Sequence, residues 1–152
     1  MEPKLNFPPL EIRTRDVDRG VELWDPLRKG FFLEQPEEWV RQKWIAFLNQ
    51  HQDFPLGLGN SEVPLNYLGQ PKRCDIIWYN KAGEPVLLVE CKRPSVKITQ
   101  KVFDQIGIYN LHFKVPFLLV SNGVEHFMVK VDFEQKKFHK MQKIVHWTDV
   151  QD

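Results

Sequence analysis

The stretch CDIIWYNKAGEPVLLVECK, residues 74–92, encodes two apolar strands and the turn between them. Turn-forming residues cluster at Lys81–Glu84, so the chain is predicted to reverse there. One strand is predicted before the turn, at Arg73–Asn80, and another after it, at Pro85–Lys92. The second strand is apolar on both faces, which is typical of a buried central strand. This hairpin therefore predicts the middle of a sheet.

The hairpin is also predicted to bring two acidic residues together. A symmetric turn pairs Asn80 with Pro85. Asp75 then faces Glu90, and directly opposed residues have Cβ atoms roughly 5 Å apart. Lys92 lies two residues beyond Glu90 and shares its face. Opposed carboxylates are unfavourable unless a positive charge lies between them. Either Lys92 neutralises the pair in a surface ion cluster, or a divalent cation does, and oxygen ligands suit Mg²⁺ or Mn²⁺ rather than Zn²⁺.

The same register places Cys74 opposite Cys91 on the other face of the sheet, together with Trp78. A pair of buried thiols is the simple interpretation, with a disulfide or a metal site as the alternative. Two thiolates alone make a poor Zn²⁺ site, and no histidine has ligand spacing to them. We therefore expect two buried, free thiols.

The flanking elements complete an α/β pattern. A helix is predicted to begin at Gln35-Pro36, where proline and two acids suit the first turn, and to end near Asn49–Asp53. Val40, Trp44 and Leu48 recur in it at helical spacing. The remaining predicted elements are a strand at Glu62–Leu68, a turn at Gly69–Pro71, a helix at Thr99–Asn110, a strand at Phe117–Ser121, and a hairpin of His126–Phe133 with Lys137–Met141. This order predicts an α/β sandwich with a mixed sheet.

Composition limits the class of protein. The chain has 152 residues, 42% of them hydrophobic and 27% charged, close to the globular average. We predict an N-terminal arm with one short strand at 1–23, a domain at 24–141 and a C-terminal tail at 142–152.

The net charge of +1 argues against binding nucleic acid by bulk charge alone. No apolar run approaches the roughly 18 residues of a membrane span. With two cysteines and no signal-peptide core, we expect a cytoplasmic protein without a membrane partner.

Several short motifs carry a family resemblance. Asp75, fourteen intervening residues and then Glu90-Cys91-Lys92 resemble the PD-(D/E)xK nuclease signature, with Cys74 standing where the family often has proline. Glu38 with Val40-Arg41 resembles the first-helix acid of that family. Gln105 and Tyr109 resemble the Gln-x-x-x-Tyr element of the branch that contains RecB-type and type I restriction nucleases.

A further motif narrows the resemblance. Ser121-Asn122-Gly123 resembles the Thr-Asn-Gly of restriction R subunits. The stretch from Trp24 to about Phe133 is thus similar to the N-terminal nuclease domain of type I restriction enzyme R subunits, in a small free-standing version. The sequence has no Gly-x-x-x-x-Gly-Lys phosphate loop, so we expect that the chain does not translocate DNA itself.

The resemblance implies a restriction-endonuclease-like fold and metal-assisted hydrolysis of a phosphodiester. Asp75 and Glu90 would hold Mg²⁺ or Mn²⁺, with the Cys91 carbonyl as a third oxygen ligand. Lys92 would orient a water molecule or help to deprotonate it, and Glu38 would be an outer or second ligand. The supporting and DNA-contacting candidates are Gln105 and Tyr109, on one helix face, and the basic residues Arg73, Arg93, Lys97, Lys101 and Arg28. Arg28 could instead form a salt bridge to the first helix.

Three functions remain open from the sequence. The first is a metal-dependent nuclease that acts on DNA. The second is a catalytically idle module of the same fold that binds nucleic acid or protein. The third is a metal hydrolase that acts on another phosphorylated substrate. No base-reading motif is evident, so specificity is expected to come from a partner protein, from a homodimer or from substrate shape.

Overall fold

The computed structural model describes the backbone of residues 1–152 and all side chains except those of Leu65, Ile108, Tyr109, Leu111 and His112. The protein is a mixed α/β structure with two sheets. The N-terminal sheet consists of β1 (Thr14–Val17), β2 (Gly20–Asp25) and β3 (Gly30–Leu33). The central sheet consists of β4 (Gly59–Tyr67), β5 (Gln70–Tyr79), β6 (Pro85–Cys91), β7 (Phe117–Ser121), β8 (His126–Asp132) and β9 (Lys137–Lys140). The helices are α1 (Pro36–Gln50), α2 (Gln100–Phe113) and α3 (Trp147–Val150), with a 3₁₀ turn at Leu56–Leu58.

The six strands of the central sheet lie side by side in chain order. All neighbouring strands are antiparallel except β6 and β7, which are parallel because α2 crosses over between them. The predicted order of helix, three antiparallel strands, helix, strand and hairpin is therefore confirmed. Helices α1 and α2 cover opposite faces of the central sheet. The α1-side core includes Val40, Trp44, Leu48, Ile76, Trp78 and Val89, and the α2-side core includes Ile77, Leu88, Phe103, Ile106 and Leu118.

Helix α1 forms as its sequence predicts. Gln35 is the extended N-cap and Pro36 takes the first helical position, where a missing N–H has no cost. The helix ends at Gln50, within the predicted range, and the Phe54 N–H then returns to donate to the Leu48 carbonyl. The apolar stripe of Val40, Trp44 and Leu48 is fully buried against the sheet.

The β4–β5 hairpin turns one residue earlier than predicted. Tyr67 pairs with Gln70, so the turn consists of Leu68 and Gly69 and not of Gly69–Pro71. Both turn residues have positive φ, 51° and 79°, which suits the tight turns that match strand twist. Pro71 consequently lies within the ladder, opposite Asn66.

The N-terminal sheet corrects the prediction of an arm with one short strand. Its strands are only four to six residues long, and Leu23 on its inner face is fully buried. On strands β2 and β3 the Trp24 and Phe31 rings lie under the guanidinium of Arg13. Arginine side chains thus lie over aromatic rings, so charged positions that appear solvated in the sequence belong to a sheet.

The segment after β2 is a tight turn built on Asp25. Its Oδ1 accepts hydrogen bonds from the backbone N–H groups of Leu27 (2.7 Å) and Arg28 (3.0 Å), as the sequence predicts for Asp before Pro26. Strand β2 continues to Asp25, so this residue both ends the strand and begins the turn.

The predicted register of the β5–β6 hairpin is confirmed away from the turn but is wrong next to the turn. Ile76 faces Val89 and Trp78 faces Leu87, as predicted. At the turn Tyr79 faces Pro85, so the predicted pairing of Asn80 with Pro85 does not occur. A β-bulge between Trp78 and Tyr79 absorbs the difference. The bulge thus restores the predicted register from Trp78 to Ile76, where the ladder of the described residues ends, and the predicted pair of Asp75 with Glu90 is not part of that ladder.

The two cysteines are free and buried, as predicted, but they do not share a face of the sheet. Cys74 packs in the α2-side core, whereas Cys91 packs in the α1-side core. Trp78 belongs with Cys91 and not with Cys74, contrary to the prediction. The alternation of side chains in β5 therefore breaks between Cys74 and Ile76.

Candidate active site

The break in β5 positions Asp75. The β4–β5 ladder pairs Ser61 with Ile76 and Val63 with Cys74 but omits the pair between them. Glu62, on the partner strand, has a φ of 54°, which is strained for a residue with a side chain. Asp75 therefore turns towards α1 together with its neighbour Ile76.

Two hydrogen bonds hold the Asp75 carboxylate, which is 9% exposed. Its Oδ2 accepts from the Cys91 backbone N–H at 2.8 Å, and its Oδ1 accepts from Arg41 Nη2 at 2.8 Å. The first bond ties the acid to the strand that carries Glu90 and Lys92. The second gives the acid a buried counterion from α1.

Arg41 is the centre of an ion-pair network. Its Nη1 donates to Glu38 at 2.7 Å, and its Nη2 contacts Glu37 at 3.4 Å and forms an ion pair with Glu62. Burial opposes the charge of Arg41, but the carboxylates of Glu38 and Asp75 outweigh burial and raise its pKa. The guanidinium therefore stays charged in a site that is only 5% exposed.

Glu38 is buried within the same network. Both of its carboxylate oxygens accept from Arg28 Nη2, at 2.7 and 2.8 Å, and Oε2 also accepts from Gln42 at 3.1 Å. Arg28 in turn donates from Nε to Asp25 Oδ2 at 2.7 Å. Of the two alternatives left open for Arg28, the structure forms the salt bridge to the first helix. A ligand role for Glu38 stays a prediction.

Glu37 is a site residue that the sequence interpretation missed. Its side chain is 45% exposed, and its carboxyl group interacts electrostatically with Asp75, Arg41 and Lys92. Burial, followed by the charge of Asp75, raises its pKa, although Arg41 and Lys92 oppose the shift. Its spacing of four residues from Arg41 was the available signal. Asp75 and Lys92 thus lie on the same side of the molecule as Glu37.

We expect Glu37→Gln to stabilise the protein at pH 7, by about 0.5 kcal/mol, since solvent screens a half-exposed group. The folded carboxyl has a higher pKa than the unfolded one, near 4.5, so ionised Glu37 lowers the free energy of unfolding. The destabilisation by ionised Glu37 grows as the pH rises above 4.5 through the folded pKa. At pH 4, where the carboxyl is protonated, Glu37→Gln should therefore be no more stable than the wild type. Urea unfolding of both proteins at pH 7 and at pH 4 measures this difference, with a substitution of an exposed residue, Glu134→Gln, as the control. A less stable variant at pH 7 would contradict the prediction.

Glu90 lies in β6 and is buried beside Cys74. Burial, and then the carboxylates of Glu90 and Asp75, raise the pKa of the Cys74 thiol. The pKa of Cys91 is raised by burial and by Asp75. Both sulfurs therefore remain protonated at neutral pH. They fill space in the core beside the acids and are poor metal ligands in this state.

Lys92 follows β6 and is half-buried. Its backbone N–H donates to the Ser121 carbonyl at 2.8 Å, which fixes the chain beyond the end of the strand. Asn122 Oδ1 accepts from the N–H groups of Val124 and Glu125, and its Nδ2 donates to the Val96 carbonyl at 2.8 Å. The Ser-Asn-Gly motif therefore braces the segment that begins at Lys92.

Gly123 is required in that motif for two reasons. Its φ of 87° is one that side chains rarely adopt. A Cβ atom there would lie 2.8 Å from a Leu5 methyl and 2.9 Å from a Val40 methyl. The turn thus packs directly against α1 and the N-terminal segment.

The remaining predicted residues lie outside this network, except for Arg73 at its exposed edge. Gln105 is exposed on α2, and the Tyr109 side chain is outside the described residues, so the role of this pair stays a prediction. Arg73 is exposed and reaches Glu62 at 3.4 Å. The other basic candidates, Arg93, Lys97 and Lys101, are solvent-exposed after the end of β6 or at the start of α2.

The donor atoms suit a hard cation by type but are not arranged as a ready-made metal site. Carboxylates and a backbone carbonyl are the ligands that Mg²⁺ and Mn²⁺ prefer. Among the described side chains, however, no three His, Cys, Asp or Glu residues converge to hold a metal ion. The guanidinium of Arg41 lies against Asp75 instead.

Two comparisons and one structural feature bear on identity. A comparison with curated proteins finds no match. In the part of the chain that the structure describes, no helix combines the length and the apolar character needed to cross a membrane. Residues 36–144 match the family described as the type I restriction enzyme R protein N terminus, as the motifs predicted. This match includes α1, the central sheet and every residue of the Arg41 network except Arg28 and Asp25. The chain therefore belongs to the family of the type I restriction enzyme R protein N terminus.

Proposed function

We propose that the protein is a Mg²⁺- or Mn²⁺-dependent nuclease that acts on DNA, with a restriction-endonuclease-like fold. The observation that carries the proposal is the hydrogen bond from the Cys91 N–H to Asp75 Oδ2. This bond ties the acid of β5 to the Glu90-Cys91-Lys92 segment of β6. Membership of a restriction-enzyme family supports a nuclease-related role.

Asp75, Glu90 and the Cys91 carbonyl would hold the cation. When bound, a divalent cation polarises the phosphate and lowers the pKa of a coordinated water. Lys92 positions the attacking water and offsets the negative charge that develops on the phosphate. Because Asp75 and Glu90 are buried, their charges act through a medium that screens them less than water does.

DNA would approach along the exposed basic side chains. Arg93, Lys97 and Lys101 follow the site in sequence and face solvent, where they can contact phosphates. Such contacts carry no sequence information, so we propose that specificity comes from a partner protein, a second copy of the chain or substrate shape. Two free thiols favour a reducing compartment, and we propose a cytoplasmic protein.

The test is incubation of the purified protein with supercoiled plasmid, linear duplex and single-stranded DNA. We expect cleavage with Mg²⁺ or Mn²⁺ and none with EDTA. Nicking of circular plasmid would show endonuclease action, and loss of linear DNA alone would show exonuclease action. Intact DNA under every condition would overturn the proposal.

One observation favours a second candidate, an idle binding module of the same fold. Both oxygens of Asp75 already accept hydrogen bonds, one of them from a buried guanidinium. A module of this kind would retard DNA in a gel shift without cleaving it. Its binding would be unchanged in Asp75→Asn.

A further inference from the structure

We infer that Arg41 holds the place of the divalent cation in the metal-free protein, so that the Arg41–Asp75 ion pair and cation binding exclude each other. This inference rests on the proposed function and concerns how its metal site is regulated. It makes Arg41 a positioning residue that sets the affinity of the site for metal.

The first argument is the geometry at Asp75. The Cys91 N–H donates to Oδ2 of the Asp75 carboxylate, so Oδ1 is the oxygen that faces α1. Arg41 Nη2 lies 2.8 Å from this Oδ1, with an ion pair to Glu62 at the same nitrogen. A cation that approached Oδ1 of Asp75 from the side of α1 would have to occupy the space of this nitrogen.

The second argument is the balance of charge. Four carboxylates surround the one guanidinium, those of Glu37, Glu38, Glu62 and Asp75. Arg28 also forms a salt bridge with Glu38, and Arg73 lies 3.4 Å from Glu62. The network thus carries more negative than positive charge at its centre, and a divalent cation would balance it better than a single guanidinium does.

The third argument is the poor fit of Arg41 in its present place. Among the described residues, its buried Nε–H donates no hydrogen bond. A buried donor without an acceptor is costly, and an arginine built only as a structural counterion would be expected to use it. The strained φ of 54° at Glu62 lies at the same point of the network.

The experiment compares the full chain with Arg41→Met, which removes the charge and keeps a long apolar stem. Mn²⁺ affinity is measured by calorimetry and by the electron paramagnetic resonance signal of the free ion. Losing a charge-assisted competitor at Asp75 should tighten Mn²⁺ binding by about tenfold or more. The melting temperature of this variant should also rise more on addition of Mn²⁺ than that of the wild type.

Arg28→Met is the matched control. It removes an equal charge from the same network, because Arg28 also bonds to Glu38, yet Arg28 donates to Asp25 and not to Asp75. A general change of electrostatic potential would alter both variants alike. We expect the Mn²⁺ affinity of Arg28→Met to rise by less than that of Arg41→Met, because Arg28 does not contact Asp75, and an equal rise in both variants would contradict the inference.

A measurement on the wild type covers the case in which Arg41→Met fails to fold. Addition of Ca²⁺, which is diamagnetic, should shift the Arg41 Nε–H resonance, assigned by its loss in Arg41→Lys. An unchanged resonance at saturating Ca²⁺ would overturn the inference.

The outcomes separate the inference from the proposed function. If the wild type cleaves DNA with Mn²⁺ and Arg41→Met binds the ion no more tightly, the inference fails and the function stands. If neither protein binds Mn²⁺, both the metal dependence and the inference fail.

Discussion

Lys92→Ala is expected to reduce metal-dependent DNA cleavage by about 100- to 1,000-fold, the loss typical of removing one charge-stabilising group from an active site. Lys92 is half-buried, and its charge acts on Glu37 together with that of Asp75. Its ammonium group is therefore near enough to Glu37 for the two charges to interact, on the side of the molecule where Asp75 lies. The fold should survive, because the hydrogen bond to the Ser121 carbonyl comes from the backbone N–H, which alanine keeps.

Two companion variants sharpen this test. Lys81→Ala removes an exposed lysine at the opposite end of the same hairpin and should cleave at the wild-type rate. Lys92→Arg keeps the positive charge but cannot donate or accept a proton at neutral pH. Partial activity in Lys92→Arg would assign Lys92 an electrostatic role, and full loss would assign it a role in proton transfer. Undiminished cleavage by a folded Lys92→Ala would contradict the proposed site.

The sequence was sufficient to predict the central sheet because its signals are local. Apolar runs marked β6 and β7, proline and acids marked the start of α1, and a Gly-containing turn marked the β5–β6 hairpin. The register reached the correct pairing at Ile76 although the turn itself was predicted wrongly. A bulge beside Tyr79 compensated for the error, and nothing in the sequence specifies that bulge.

The orientation of the site residues could not be predicted in the same way. The direction of Asp75 depends on a left-handed backbone at Glu62, which is not a glycine and so gives no sequence signal. Arg41 meets Asp75 across 34 positions of the chain, and no periodicity links the two. The prediction of shared faces assumed regular alternation, and it failed for Cys74 and Cys91 because β5 is irregular at this point.

The N-terminal sheet matters because it supports the network from outside the matched residues 36–144. Asp25 is fully buried in β2 and binds Arg28, which in turn binds Glu38 of α1. The Arg28 guanidinium also lies 3.5 Å over the Phe32 ring. The sequence contained this link only as an open alternative for Arg28.

Asp25→Ala should lower the free energy of unfolding by about 3 to 5 kcal/mol, the cost of removing one partner from a buried ion pair. Three hydrogen bonds are lost, from the Leu27 N–H, the Arg28 N–H and Arg28 Nε. Burial disfavours the ionised carboxyl, but the bonds from Arg28 and Leu27 outweigh burial and lower the pKa of Asp25. The charged form is therefore the one that stabilises the fold.

The pH dependence distinguishes this charge from simple loss of packing. Because the folded pKa lies below the unfolded value of 3.8, the stabilisation is complete well above 3.8 and is lost as the pH falls through the folded pKa. Wild-type stability should thus fall more steeply below pH 3.8 than that of Asp25→Ala, when both are measured by urea unfolding. Asp25→Asn keeps an acceptor for the Leu27 N–H but not the charge, so its stability should be intermediate and its acid slope should match that of Asp25→Ala. If Asp25→Asn were as stable as the wild type at pH 7, the ion pair of Asp25 with Arg28 would contribute nothing, and the N-terminal sheet would be held to α1 by its other contacts.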